Sequence, residues 1–337
     1  MKAMILKQIS RVEDSPLQLV ELPKPNIKSN EILVKITACG ICRTEIDEIE
    51  GRRVPKLPII LGHEIVGRVE SFGPRAKKFN SGDRVGIAWI YYACGKCVFC
   101  LSGQENLCEQ FQATGCDVDG GYAQYVKVRE DFAYPIPERF DDLHAAPLLC
   151  AGAIGYRALK LTGLKDGETI GLFGFGASAH QVFQLIRYLY PKSKIFVFTR
   201  KKGDAPSILA KEMGADWVGE SGEEPPEKLN RAIDTTPVGQ PVIEALKHLS
   251  KGGRLVINVI RKEELIPQVR YEQHLWYEKE VKSVANITRK DVQEFLKIAS
   301  EVPIIPEIRE FKLEEANKAL LMLKRGEYHG AGVLKIE

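Results

Sequence analysis

Four cysteines fall within fifteen residues, as Cys94, Cys97, Cys100 and Cys108, and this spacing constrains the chain more than any other feature. Four thiolates on one short loop can close a tetrahedral shell around a single ion. Gly95 and Gly103 between them let the loop turn tightly. Disulfides would suit a small secreted chain, but this one has 337 residues and opens with no apolar leader segment, which favours metal. Cys-x2-Cys-x2-Cys also opens an iron–sulfur run. There the next interval is short and ends at Pro, whereas here seven residues intervene and Glu109 follows, so the reading is zinc. With four sulfurs no coordination position is left open, so this site is expected to pin a lobe. Cys39 and Cys116 are expected to be ordinary buried thiols.

A second set, Cys42, His63 and Cys150, is scattered on either side of the loop. Two thiolates and one imidazole leave a fourth position free, as a catalytic zinc requires. Glu45 follows Cys42 closely and is a candidate carboxylate for the second nitrogen of His63. Taken alone, a buried Cys is usually a small hydrophobe and a lone His is more often structural. What raises the reading is that Cys150 falls where the chain changes character.

Up to about residue 140 the pattern is short alternating runs, such as Ile32, Val34 and Ile36, broken by Pro and Gly turns. From residue 152 it becomes strand, Gly turn, helix, repeated. Strands are expected at Thr169 to Phe173, Ile195 to Thr199, Arg231 to Asp234, Arg254 to Val259 and Val281 to Ala285. Helices are expected at Ala177 to Tyr190, Ser207 to Met213 and Pro241 to Ser250. About six strands fit this parallel sheet. Two helical patterns, Asp291 to Ser300 and Leu313 to Arg325, precede a strand at Gly332 to Ile336 that could rejoin the first domain. The fold class is therefore α/β with two domains, a β-rich catalytic domain of residues 1–151 and 287–337 and a doubly wound cofactor domain of residues 152–286. Leu255 to Val259 is a candidate for building a sheet across a dimer.

The length and the 44% hydrophobic content are enough for two cores. Lys+Arg 48 against Asp+Glu 45 gives a net charge of +3 with no long single-sign run, so no nucleic-acid partner is expected. No stretch approaches the roughly 20 apolar residues of a spanning helix, so a membrane is not expected either, and the expected location is the cytoplasm.

Gly174-Phe175-Gly176-Ala177-Ser178-Ala179 lies between an expected strand and helix, the context in which GxGxxA holds a dinucleotide pyrophosphate at a helix N-terminus. The next strand ends Thr199-Arg200-Lys201-Lys202, without the acid that would meet a free ribose hydroxyl. A hydroxyl followed by cations suits a 2′-phosphate, so NADP(H) is expected over NAD(H). Solvated surface charge is the competing reading.

Six sequence words together resemble the zinc-dependent alcohol dehydrogenases of the medium-chain dehydrogenase/reductase superfamily: Ala38-Cys39-Gly40-Ile41-Cys42-Arg43-Thr44, Gly62-His63-Glu64, Gly82-Asp83-Arg84-Val85, the four-cysteine loop, Asp119-Gly120-Gly121-Tyr122-Ala123, and Pro147-Leu148-Leu149-Cys150-Ala151-Gly152. Gly-Phe-Gly-Ala-Ser-Ala-His and Ser-Val-Ala-Asn point to its cinnamyl-alcohol-dehydrogenase-like bacterial and archaeal branch. A Cys/Cys/His catalytic zinc is that family's own ligand set. The resemblance implies a GroES-like zinc-binding domain beside a Rossmann domain, with two zinc ions per chain. It implies that Cys42 is the ligand and Cys39 a bystander. It further implies that Arg43 contacts the pyrophosphate, Thr44 relays a proton, Glu64 lies near the zinc and Trp89 lines the substrate pocket. Glu45 replaces the family's usual Asp, Asp47 a relay His, and Ile154 a Thr near the nicotinamide; Asp47 leaves the outer end of a proton path in question.

The expected function is hydride transfer between NADP(H) and an alcohol/aldehyde or ketone pair, in a homodimer or homotetramer. A polyol or secondary-alcohol dehydrogenase, possibly NAD(H)-linked, is the alternative on the same scaffold. A zinc-ribbon module that binds nucleic acid or protein is the alternative of another kind.

Overall fold

Ile32, Val34 and Ile36 are fully buried along β1 (Glu31–Ile41), while Lys35 between them reaches solvent. The computed structural model describes residues 1–302, 304–328 and 330–337. Past Thr37 the strand is covered on both faces through Ile41, and this buried end delivers Cys42 to the next element. Cys42 keeps an extended backbone and caps α1 (Arg43–Ile49). β1 pairs antiparallel with β2 (Ile65–Phe72), which pairs with β3 (Arg84–Ile87). β4 (Tyr125–Arg129) lies along the first part of β1, setting Val34 opposite Val126, and β5 (Ala133–Pro135) extends the sheet beyond β3. Lys2–Leu6, Leu17–Glu21 and Ile59–Ile60 form a small sheet of their own.

α2 (Ala151–Thr162) leads into the parallel sheet, whose first strand, β6 (Thr169–Phe173), is buried at every position. A strand covered on both faces reads as one apolar run rather than an alternation. The chain then turns at Gly174, at φ +85°, into α3 (Ala177–Leu189). A Cβ at Gly174 would come within 2.8 Å of Thr235 Oγ1, so both the backbone angle and the space require glycine. β7 (Lys194–Thr199), α4 (Ala205–Glu212), β8 (Trp217–Glu220), β9 (Leu229–Asp234), α5 (Gln240–His248), β10 (Leu249–Ile257) and β11 (Glu280–Ser283) complete the winding. Among the described residues the strand order is β8-β7-β6-β9-β10-β11, all parallel. The order reverses at β6, which is the switch point where such sheets bind dinucleotides.

α4 starts earlier than expected because the Asp204 side chain accepts from Ser207 N and Pro206 is tolerated in the first turn. Leu255 to Val259 is corrected more seriously. The strand in question is β10, which is hydrogen-bonded to β9 on one side and β11 on the other. Its backbone groups are spent, so it cannot extend the sheet into another subunit; the free edges belong to β8 and β11.

Thr288 opens α6 (Arg289–Glu301) with a capping box closed by Asp291. β12 (Ile308–Lys312), α7 (Ala316–Arg325) and β13 (Ala331–Lys335) follow. β13 lies between β12 and β1, with Val333 opposite Gly40. The chain thus forms two units, Met1–Ala153 with Asn286–Glu337 and Ile154–Ala285. No helix of the described residues is long and apolar enough to cross a membrane.

Candidate metal centres and cofactor turn

The structure gathers Cys42, His63, Glu64 and Cys150 so that one donor atom from each lies within 4.8 Å of the others. Cys42 comes from the end of β1, Cys150 from the turn before α2, and His63 from the segment before β2. Gly62 allows that segment its course: it sits at φ +97°, and a Cβ there would meet the Tyr122 ring at 2.5 Å. Gly40 has a different reason to lack a side chain. Its Cβ would fall 1.9 Å from Glu64 Oε2, so only glycine leaves room for that carboxylate.

Glu45 is completely buried and divides its two oxygens between two ligands. Oε1 lies 2.7 Å from His63 Nδ1, and Oε2 accepts from the Cys42 backbone N–H at 2.7 Å. With Nδ1 turned to Glu45, Nε2 is the nitrogen that faces Cys150 Sγ, 3.3 Å away. Burial alone would lower the imidazole pKa, but Glu45 and Cys42 outweigh it and hold it well above the usual value. The two thiols diverge: hydrogen bonding between them pulls Cys42 well down and pushes Cys150 well up. One proton shared between two sulfurs is what a divalent cation displaces. Ligands on one tetrahedral zinc stand roughly 3.5–4 Å apart, so this donor set fits a zinc ion.

The other residues expected here are placed as follows. Thr44 is buried with Oγ1 3.5 Å from Cys42 Sγ. Arg43 is exposed on the first turn of α1. Glu64 is buried, and burial raises its carboxyl well above the ordinary range. Trp89 sets its edge against the His63 ring at 4.7 Å. Asp47 is drawn away from the metal ligands into an ion pair, its Oδ1 accepting from Arg52 Nε at 2.6 Å. Ile154 lies half-buried on α2 in the second unit.

Cys94, Cys97, Cys100 and Cys108 form the second cluster. Cys94 and Cys100 stand 3.9 Å apart, and all eight cysteines of the chain are free. Backbone N–H groups of Lys96 and Cys97 aim at Cys94 and bring its thiol down to about 6. Such donors stabilise thiolate ligands. One anchor of this loop had no signal in the sequence. Glu105, buried beside Cys108, accepts from the Arg289 backbone N–H at 2.7 Å and from its Nε and Nη2 at 2.9 and 2.7 Å. The two residues lie 184 positions apart, beyond any local pattern.

In the second unit Gly176 caps α3, and a Cβ there would meet nothing within 4 Å, so the space at the helix N-terminus is open. Phe175 is buried against Phe183, and Ser178 Oγ accepts from Asn258 at 3.4 Å. Ala177 is the first residue of the helix. Open backbone N–H groups at a helix start, after a β-strand at the switch point, fit a dinucleotide pyrophosphate. Thr199 is buried at the end of β7, with Oγ1 donating to Lys201 O at 3.2 Å. Lys202 is paired with Glu223 at 2.7 Å. Arg200 and Lys201 are exposed and have no ion pair among the described residues.

Residues 28–138 match the alcohol dehydrogenase GroES-like domain. The chain is 40% identical over its whole length to the probable alcohol dehydrogenase AdhA of Mycobacterium tuberculosis, covering 97% of that protein. It is 38% identical to an alcohol dehydrogenase of Geobacillus stearothermophilus, with both chains covered completely. The chain belongs to the zinc-dependent medium-chain alcohol dehydrogenases. In fold, the dehydrogenase superposes on CAD from Helicobacter pylori, solved with NADP(H), at a TM-score of 0.88 over 99% of each chain and 24% identity. It is thus an NAD(P)-dependent oxidoreductase of alcohols. A free-standing zinc ribbon is set aside, since the whole chain matches full-length alcohol dehydrogenases.

Glu105→Ala is expected to lower the thermal midpoint measured by calorimetry. Removing one partner of a charge-assisted hydrogen-bonded pair costs about 1.5–3 kcal/mol, and the four-cysteine lobe should loosen first.

Proposed function

We propose that the dehydrogenase interconverts an alcohol with its aldehyde or ketone at a zinc held by Cys42, His63 and Cys150, using NADP(H) in preference to NAD(H). The observation that carries this is the Cys/His/Cys donor set within 4.8 Å, with His63 and Cys150 buried and Cys42 half-buried, together with an open glycine turn at the sheet's switch point. Cys42, His63 and Cys150 would hold the zinc, which would supply Lewis-acid chemistry at the substrate oxygen, and the bound nicotinamide would supply the hydride chemistry.

The chain's own residues do the rest. Glu45 orients His63 through Nδ1 and steadies Cys42 through its backbone N–H. Thr44, next to Cys42 Sγ, holds the proton that the substrate oxygen gains or loses and passes it outward. Glu64, whose carboxyl burial raises well above the ordinary range, closes the back of the site. Asp47, in contact with Arg52, is the outer member of the proton path. Trp89 and Ile154 shape the substrate's apolar surroundings. Gly174, Phe175, Gly176, Ala177 and Ser178 receive the pyrophosphate, with Arg43 as a further cation. Thr199, Arg200 and Lys201 meet the 2′-phosphate; that neither exposed cation is spent on an ion pair supports this choice over NAD(H).

Cys94, Cys97, Cys100 and Cys108 hold a second zinc that fixes their lobe, giving two ions per chain. The dehydrogenase works as a homodimer or homotetramer. The free edge of β11, flanked by exposed Trp276, Tyr277 and Val281, supports a subunit contact there.

Cys42→Ser should lower zinc, measured by plasma emission, by about one ion per chain and abolish turnover; full activity in that variant would refute the ligand assignment. Cys97→Ser should instead lower the thermal midpoint first. An aldehyde and ketone panel assayed with both reduced cofactors should show higher kcat/KM with NADPH. Arg200→Ala should reduce that preference about tenfold, and an enzyme that favours NADH would overturn it. Light scattering should report two or four copies, and Val281→Lys should weaken the assembly.

A further inference from the structure

Two neighbouring arginines follow α1 and are used in opposite ways. Gly51, at φ +72°, turns the chain so that the Arg52 and Arg53 backbone N–H groups both donate to Asp47 O, at 2.9 and 3.1 Å. Arg52 then spends its guanidinium on Asp47 and Glu50. Arg53 does not. Its Nε donates to Cys116 Sγ at 3.2 Å, and its Cζ lies 4.9 Å from the centre of the Trp89 ring. Its one carboxylate neighbour at ion-pair range is Asp117, at 3.9 Å and itself 40% exposed. Burial pushes the Cys116 thiol up to about 12, so this partner brings no charge. Glu48, the buried acid nearest in the chain, is likewise raised by burial, although the Arg53 charge pulls it the other way.

The guanidinium is therefore held in place by a sulfur and an aromatic face, its nearest ion pair being the long contact to the exposed Asp117, and its side chain is 39% exposed. The position matters because Trp89 is the same ring whose edge packs on His63. Two ring contacts in series, of 4.9 and 4.7 Å, separate Arg53 from a metal-site imidazole. A planar fork fixed by stacking is preorganised to take a carboxylate by two parallel hydrogen bonds.

We infer that Arg53 is a specificity-determining residue that binds an anionic group at the far end of the substrate, so that short aldehydes or alcohols bearing a carboxylate are preferred over their uncharged analogues. This rests on the alcohol/carbonyl reading given above. Arg53 takes no part in the hydride or proton steps; it selects and orients.

The test compares succinic semialdehyde with butanal, equal in carbon count, on the zinc-loaded full-length enzyme and on Arg53→Ala and Arg53→Lys. Butanoate binding is followed by calorimetry alongside. The ratio of kcat/KM, succinic semialdehyde over butanal, should favour the acid in the natural enzyme and fall about tenfold or more in Arg53→Ala. Arg53→Lys should retain part of the preference, since it keeps the charge but loses the fork. The butanoate dissociation constant should rise in step, and KM for the semialdehyde alone should rise with salt. If both aldehydes suffer equally in Arg53→Ala, the residue merely covers Trp89 and the inference fails. If the natural enzyme turns over butanal without favouring the acid, the inference fails while the dehydrogenase reading stands. If neither aldehyde, nor any of the wider panel, is reduced, the underlying reading fails; butanoate affinity that ignores Arg53 then overturns this inference separately.

Discussion

The metal site depends on one buried carboxylate. Glu45 touches His63 with one oxygen and the Cys42 backbone with the other, at 2.7 Å each. Two donors from separate parts of the chain are thereby set by a single side chain. Burying a carboxylate is costly unless its oxygens are compensated, and here one oxygen accepts from a backbone N–H while the other lies against the imidazole. The same contact closes the capping box of α1, so the helix start and the ligand geometry are one feature. Glutamate in place of the family's aspartate is accommodated because the capping-box position lets the longer side chain fold back along the first turn.

Around this centre the packing is arranged by absence as much as presence. Gly40 leaves the space that Glu64 fills, and Gly62 leaves the space of the Tyr122 ring. The four-cysteine loop is held differently. Its Cys94 and Cys108 sulfurs accept from backbone N–H groups, and its outer residue Glu105 grips the first residue of α6. A metal in that loop would fix not only the loop but also the point where the chain returns to the first unit.

Much of this was legible in the sequence because its signals are local. The Cys spacing needs only a short loop, and the strand–glycine–helix rhythm needs only a few consecutive turns. Strands such as Thr169 to Phe173 and the six-stranded parallel order followed from it. Glu45 as partner of His63 could be anticipated from its closeness to Cys42. What could not be read were long-range choices. Nothing local tells that Arg52 rather than solvent takes up Asp47, that Arg289 reaches Glu105, or that Arg53 rests on Trp89. The dimer-strand expectation failed for a related reason: an apolar run shows that a strand is buried, but not whether it is interior or at an edge.

The return of the chain to its beginning has a consequence for how the protein is made. β13 supplies the partner for residues Ala38 to Ile41, the last stretch before Cys42. Until β13 has been made that stretch has one side unpaired, whereas the parallel sheet, which lies between them in the sequence, takes no strand from β13. The backbone that leads into Cys42 thus gains its last hydrogen-bonded neighbour from a segment that follows the whole parallel sheet in the sequence.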